Sequence, residues 1–513
     1  MIRAFILSER AVVATVLFWA LAGCAVGPTY SGPPQAAASS WQAPLPHGGQ
    51  VGGLTDWWSQ FHDPALSQLI AWAEADSPTL TQAWASIQKA RATLIQDRAG
   101  GLPSLTGTGN ASRSKQLTGT QSAITRMASA GLDASWEIDL MGRIRRMSEA
   151  SSARVEARQA DWHEARISLA AEVADTYVQY RACGLLAQLY EREWQSLAAT
   201  ERATAAMVQA GLSAPSDGAL ARANLASGRS TLLRQQADCA IQVKALVYLT
   251  GQEEASLRDQ LAGSSVIPQP AELSVDRLPA DVVRQRPDVV SLERELAATS
   301  SEIGAAQADL YPSFSLTGSI SRNSLSGGGG YSAWSFGPSL SLPLLDGGKR
   351  RAAVDTATAS HASALAAYRL GVRAAVREVE ESLVNLHSSG ERATQALHAA
   401  EEYRRYLSAA DMSWRAGTTS LLSLEEARRA ALSADMEVLT LAQSRVSQWI
   451  ALYKALGGGW SPDAATPAET TSVRSSEPAP TPSTAPPTPT AATRVGAASR
   501  TSSPIEIHTG AQP

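Results

Sequence analysis

The sequence predicts an α+β membrane protein built from two internal repeats, in which the four strands of one chain are only part of a shared β-barrel. Three observations predict it: self-similarity at an offset near 207 residues, four segments of period-two alternation, and near-heptad apolar spacing over very long helices. Composition narrows the partners. The 513 residues carry 44 Lys and Arg against 48 Asp and Glu, a net charge of −4. Such a chain lacks the basic surface that nucleic acid requires. After the first two dozen positions no apolar run of about 20 residues occurs, which excludes a polytopic helical membrane protein.

The amino terminus comes first. Arg3 and Arg10 precede a short apolar stretch at 11–21, as in a secretory signal. The string Leu21-Ala22-Gly23-Cys24 resembles the bacterial lipobox, whose Cys becomes the first mature residue and carries lipid. Residues 1–23 are therefore expected to be a signal peptide and Cys24 the lipidated residue, with no other cofactor. Ala25 stands where an inner-membrane retention signal would have Asp, which favours the outer membrane. Cys183 and Cys239 remain, an even number for an oxidising compartment. If they lie on antiparallel helices turning near Ser213, their heights differ by roughly 6 Å, a mismatch that helix tilt or an off-centre turn absorbs, so a Cys183–Cys239 disulfide is expected. Two separate buried thiols are the alternative.

The repeat then organises the chain. Ser77-Pro78 aligns with Arg286-Pro287, and Leu102-Pro103-Ser104 with Tyr311-Pro312-Ser313. Asp139 before Gly-Arg-Ile-Arg-Arg aligns with Asp346 before Gly-Gly-Lys-Arg-Arg, and Ala210-Gly211 with Ala416-Gly417. The expected divisions are a lipidated segment at 24–76, repeats at 77–266 and 267–460, and a tail at 461–513. Each repeat reads helix, strand, strand, long helix, turn, long helix. The first helix opens at Ser77-Pro78, an N-cap followed by Pro at N1.

Strands are expected at about 103–114, 127–140, 312–323 and 332–345. Leu132, Ala134, Trp136, Ile138 and Leu140 alternate with Asp133, Ser135, Glu137 and Asp139, and the other three segments alternate likewise. Two explanations fit: a half-buried soluble sheet, or membrane strands with an apolar outside and a polar water-filled inside. The polar face is small and hydroxyl-rich, the segments have the length of tilted membrane strands, and Cys24 already tethers the chain to a membrane. All three favour membrane strands. Tyr331 and Trp334 suit an interfacial aromatic belt, or are ordinary loop aromatics. Four strands cannot close a barrel, since about eight is the minimum and open edges are not tolerated in lipid. Several chains must share one; three copies of four give twelve strands.

The remaining length is helical. Leu365, Tyr368, Val372, Val376, Val379, Leu383 and Leu386 step by three and four, as do Leu432, Met436, Leu439, Ala442, Val446, Trp449, Tyr453 and Leu456. A helix from 352 to about 415 would reach roughly 90 Å, too long for a compact core.

These residues also carry a family resemblance. Cys24-Ala25-Val26-Gly27-Pro28, Trp57-Trp58 with Phe61 and Asp63-Pro64, Trp136-Glu137-Ile138-Asp139-Leu140, Arg284-Gln285-Arg286-Pro287-Asp288 and 455–460 (Ala-Leu-Gly-Gly-Gly-Trp) resemble the TolC-like outer-membrane efflux factors, specifically the NodT-type lipoproteins. The resemblance implies a homotrimer with a twelve-stranded outer-membrane barrel continuing into a twelve-helix periplasmic barrel. It implies docking through a periplasmic adaptor onto an inner-membrane pump, and passive conduction of small molecules. It also places a periplasmic gate just past the second helix turn, on Leu422, Glu426 and Arg429 with Glu425 adjacent, Glu426 replacing the usual Asp. Solvated charges on an outer face are the alternative.

No enzyme signature competes. The seven His residues are scattered without metal-ligand spacing, and Gly347-Gly348-Lys349-Arg350 lacks phosphate-loop spacing. The tail beyond Trp460, rich in Pro, Ala, Thr and Ser, is expected to be disordered. Two other functions stay open: a duct for protein secretion, and a lipid-anchored periplasmic scaffold without a pore.

Overall fold

A computed structural model describes residues 26–33, 42–43, 54–118, 121–263, 266–270, 283, 285–325 and 329–460. A 3-10 turn, Leu54–Phe61, leads into α1, Pro64–Ala75, and then α2, Pro78–Ala99. Strands β1, Ser104–Thr118, and β2, Gln121–Ile138, precede the long helices α3, Arg143–Gln209, and α4, Pro215–Thr250. A short α5, Glu254–Leu261, follows. The plan then recurs as α6, Pro287–Ala308, β3, Ser313–Leu325, β4, Gly330–Ser341, α7, Lys349–Arg415, and α8, Leu421–Ala455.

The recurrence is metrical. Helices α3 and α7 are both 67 residues, and α2 and α6 both 22. The starts of α3 and α7 (349 − 143) and of α4 and α8 (421 − 215) are each 206 apart. Local chemistry sets the boundaries. Asp63 caps α1 by accepting from the Ala65 and Leu66 amides at 2.9 and 3.2 Å, and Ser77 caps α2 by accepting from Leu80 at 3.2 Å. Gly211 and Gly417, at φ of 69° and 74°, take the left-handed conformation that ends α3 and α7.

The structure departs from the sequence expectations at several elements. Helices α1 and α5 are not among the expected elements, because lengths of 12 and 8 residues show too few turns for a periodic signal. The first hairpin is longer than expected, because 113–118 and 121–126 have polar residues at both odd and even positions and lose the alternation. Strands β2 and β4 end earlier than expected, at Ile138 and Ser341; after β4, Leu342 and Leu344 keep the alternation but Pro343 has no N–H for a ladder.

The strands form one antiparallel sheet in the order β1-β2-β3-β4. The helices pack side by side: α4 on α3, α3 on α8, and α8 on α7, while α2 packs on α3, α3 on α6, and α6 on α7. The largest buried cluster among the described residues gathers the turn at Trp57, α1, α2, α3, α4, α5, α7 and α8. Trp57 stacks on Tyr453 with ring centroids 4.6 Å apart, and Leu66, Leu69, Val173, Tyr177 and Leu246 are fully buried beside them. Each such apolar side chain contributes about 1.5–3 kcal/mol of burial. Among the described residues no helix is long and apolar enough to cross a membrane.

Candidate channel surface and helix tips

Register brings the four alternations onto one face. Leu105 pairs with Ala134, Ala134 with Gly318, and Gly318 with Phe336; one step away Gly107, Leu132, Ile320 and Trp334 are aligned. Trp136, Leu316 and Pro338 form a further row. Among the described residues no buried cluster covers this face. Leu105, Trp334 and Phe336 are 69%, 78% and 71% exposed. The opposite face is lined by hydroxyls and two carboxylates: Thr108 Oγ1 donates to Asp133 Oδ2 at 3.2 Å, and Ser319 and Ser335 share a hydrogen bond of 2.9 Å. Strands β1 and β4 are the sheet's edges, and among the described residues neither pairs on its outer side. Unpaired edges beside an uncovered apolar face cannot persist in water or in lipid.

The helical layer has matching edges. Helix α4 exposes Leu220, Leu233, Ile241 and Tyr248, and α7 exposes Leu370, Val384, Leu397, Tyr403 and Met412. In the packing order these are the two outer helices, so exposed apolar side chains occur on both flanking helices of the layer.

At the far end from the sheet, Ser420 caps α8 by accepting from the Ser423 amide at 3.2 Å. Leu421 and Leu424 turn inward onto Ala221, with Leu407 and Trp414 against them. Leu422, Glu426 and Arg429 are exposed, and their spacing of four and three sets them on one side of α8. Glu425 does not join them. It is buried, ion-paired with Arg428, and Arg428 Nη2 donates to Thr200 Oγ1 on α3 at 2.9 Å. Its expected place in the gate is therefore corrected: the helix turn that exposes Glu426 carries Glu425 into the α3–α8 contact. Arg428 was missed by the sequence reading, although it follows Glu425 by three on the same buried stripe as Leu421 and Leu424. Nearby, burial raises the carboxyl of Glu193 above its ordinary range, against the opposing pull of Arg428.

Cys183 and Cys239 are joined by a disulfide between α3 and α4, with Cα atoms 5.5 Å apart. Cys24 and the tail beyond Trp460 lie outside the described residues. The strap that follows Cys24 is held at several points. The Val26 amide donates to Met141 O at 3.2 Å, just past β2, and Arg146 donates to the carbonyls of Val26 and Gly27. Tyr30 donates to Glu293 at 3.0 Å, and the Gln42 and Ala43 amides both donate to Glu380 at 2.7 Å.

Comparison with known proteins agrees with this architecture. The chain is 31% identical over 467 residues to the outer membrane protein OprJ of Pseudomonas aeruginosa, covering 88% of this chain and 96% of OprJ. It is 29% identical over 478 residues to nodulation protein T of Rhizobium leguminosarum bv. viciae, covering 90% and 96% respectively. The solved outer-membrane channel OprN superposes with a TM-score of 0.76 at 30% identity, covering 85% of this chain and all of that one. The family described as outer membrane efflux protein matches twice, at 69–252 and 278–458, once over each of the two repeats, and the chain belongs to that family.

Proposed function

We propose that three copies of this chain close into one twelve-stranded outer-membrane barrel continuous with a twelve-helix periplasmic barrel. As an outer-membrane efflux component, the assembly passes small molecules outward from an inner-membrane pump and a periplasmic adaptor. The observation that carries this reading is the coincidence of open edges: β1 and β4 in the sheet, α4 and α7 in the helical layer, on one protomer. A ring of identical copies satisfies both pairs of edges at once, because each edge meets its complement on the next copy.

The conduit needs no chemistry of its own. Hydroxyls on the inner face of the sheet offer weak, exchangeable hydrogen bonds, which suit passage better than tight binding. Covalent lipid on Cys24 anchors the chain two residues before Val26, whose amide is held at the junction of β2 and α3. At the periplasmic tips, three Glu426 carboxylates gather about the axis with Leu422 on the tip side and Arg429 on the side toward the sheet, a restriction that the pump complex relieves.

Deleting the gene and measuring susceptibility to a panel of toxic solutes, with and without complementation, tests the efflux role. Susceptibility is expected to rise for at least one solute class and to return on complementation. Unchanged susceptibility across the panel, together with no current from the purified protein in a planar bilayer, would reject it.

A further inference from the structure

The charged side chains of the sheet are sorted by face. Register sets Arg113 opposite Arg126 and Ala130 opposite Arg322, and parity along the strands places Arg113, Lys115, Arg126 and Arg322 on the same face as Leu105, Leu132, Trp136 and Phe336. The carboxylates Asp133 and Glu137 lie on the opposite, hydroxyl-lined face. A water-filled barrel ordinarily keeps charge inside, where it is hydrated, and charge on the lipid face is costly except near an interface. Here all four strand cations are outside. The sequence at 104–132 and 313–345 contains no Asp or Glu.

Height explains why this is tolerated. From Ile138, beside the helices, to Arg126 is 138 − 126 = 12 residues of β2. At about 3.3 Å per residue that is about 40 Å along the strand. A tilt of about 45° reduces it to about 28 Å of height, close to the thickness of a bilayer's hydrocarbon core. Arg113, directly across from Arg126, shares that level, and Lys115 lies just beyond. Arg322 is four residues nearer the centre, within reach of the same interface by its long side chain, and donates to Ser332 Oγ at 3.2 Å. Arg113, Lys115, Arg126 and Arg322 are all exposed.

Two like charges paired directly across strands repel, and an anion between them turns the repulsion into attraction. We propose that Arg113, Lys115, Arg126 and Arg322 form a cationic collar on the lipid-facing side of the barrel that binds the phosphate groups of a phosphorylated glycolipid in the outer leaflet. The occupant is set by position: the collar is at the sheet end remote from the helices, so with the helices periplasmic it meets outer-leaflet headgroups. Guanidinium groups suit phosphate oxygens in paired contacts, and acyl chains of the same lipid would lie along Leu132, Ile320 and Trp334. The proposal rests on the barrel reading, and the two fail separately.

Native mass spectrometry of the detergent-purified assembly supplies the test, with lipid A and its enzymatically dephosphorylated form as probes. Wild-type protein is expected to retain lipid A at least about tenfold better than the dephosphorylated lipid, and millimolar inorganic phosphate is expected not to displace it. The double variant R113Q/K115Q is expected to lose most of that preference while conducting normally in a neutral phosphatidylcholine bilayer. Equal retention of both lipids by wild type, displacement by inorganic phosphate, or an undiminished preference in a conducting double variant would overturn the collar and leave the channel standing. The wild-type comparison of the two lipids decides the matter if the variant does not fold. Absence of current from wild type in the neutral bilayer would instead remove the barrel reading.

Discussion

Arg428 on α8 donates to Thr200 on α3, across 228 residues of sequence, while its other arm pairs with Glu425 one turn earlier. All three side chains are buried, so the second half of the chain is pinned to the first by a desolvated ion pair close to the helix tips. Removing one member of such a pair leaves the other charge stranded, at a cost of about 3–5 kcal/mol, whereas replacing both with apolar groups is close to neutral. Arg428→Met is expected to lower the unfolding midpoint clearly, and Glu425→Leu with Arg428→Met to recover most of the loss. Thermal unfolding of the lipidated protein in detergent checks both; equal losses in the single and double variants would place the stabilisation elsewhere.

Glu193 gives this region a pH signature. Burial holds its carboxyl above the ordinary value, Arg428 pulls it down, and Glu425 pushes it up. A group whose folded value is raised binds its proton more tightly when folded. Its contribution to stability is therefore present below the ordinary carboxylate range and is lost as pH rises through the raised folded value. Glu193→Gln is expected to raise the unfolding midpoint at about neutral pH, with little change near pH 4, flattening the profile between them. Midpoints measured across that range would show no such flattening if the Glu193 carboxyl were freely solvated.

The Cys183–Cys239 disulfide closes a loop with a sequence separation of 56. The loop-entropy relation for that length gives about 4 kcal/mol as an upper figure. Substituting both residues with Ser, which is small and tolerated in helices, is expected to cost about 2–4 kcal/mol without altering conductance. Denaturant unfolding in parallel with bilayer recording separates the two effects; a loss of current with unchanged stability would make the staple part of the gate.

Glu426 is exposed on the side of α8 that also carries Leu422 and Arg429. In the proposed ring its carboxylate faces its counterparts across the axis and favours cations. Glu426→Gln is expected to reduce cation selectivity, while Glu425→Gln, facing into the protomer, is expected to act on stability instead. Reversal potentials under a salt gradient distinguish the two positions. Equal selectivity in wild type and Glu426→Gln would remove Glu426 from the restriction.

Much of the architecture was legible because long-range symmetry and short-range period agree. The landmarks that repeat in sequence, such as Ala210-Gly211 with Ala416-Gly417, mark the ends of helices of equal length. The alternation of Leu132, Ala134 and Trp136 survives as one face of the sheet because a period-two pattern has only two sides to choose between. Glu425 was not legible in the same way. On a helix, neighbours one residue apart point about 100° apart, so the same turn feeds both an exposed and a buried stripe, and only the position of α3 decides which is which. The strap was equally opaque. Gly27 adopts φ of 105°, and a Cβ there would lie 2.3 Å from Gly304 Cα, a contact between segments 277 residues apart that no local pattern announces.

The most direct test of the shared-barrel account is the number of copies in one conducting unit. Native mass spectrometry of the purified lipoprotein, paired with single-channel recording from the same preparation, is expected to give a mass of three lipidated chains and one discrete current level per particle. A conducting species with the mass of a single chain, or a stable monomer whose strands are protected from lipid beneath its own helices, would contradict it.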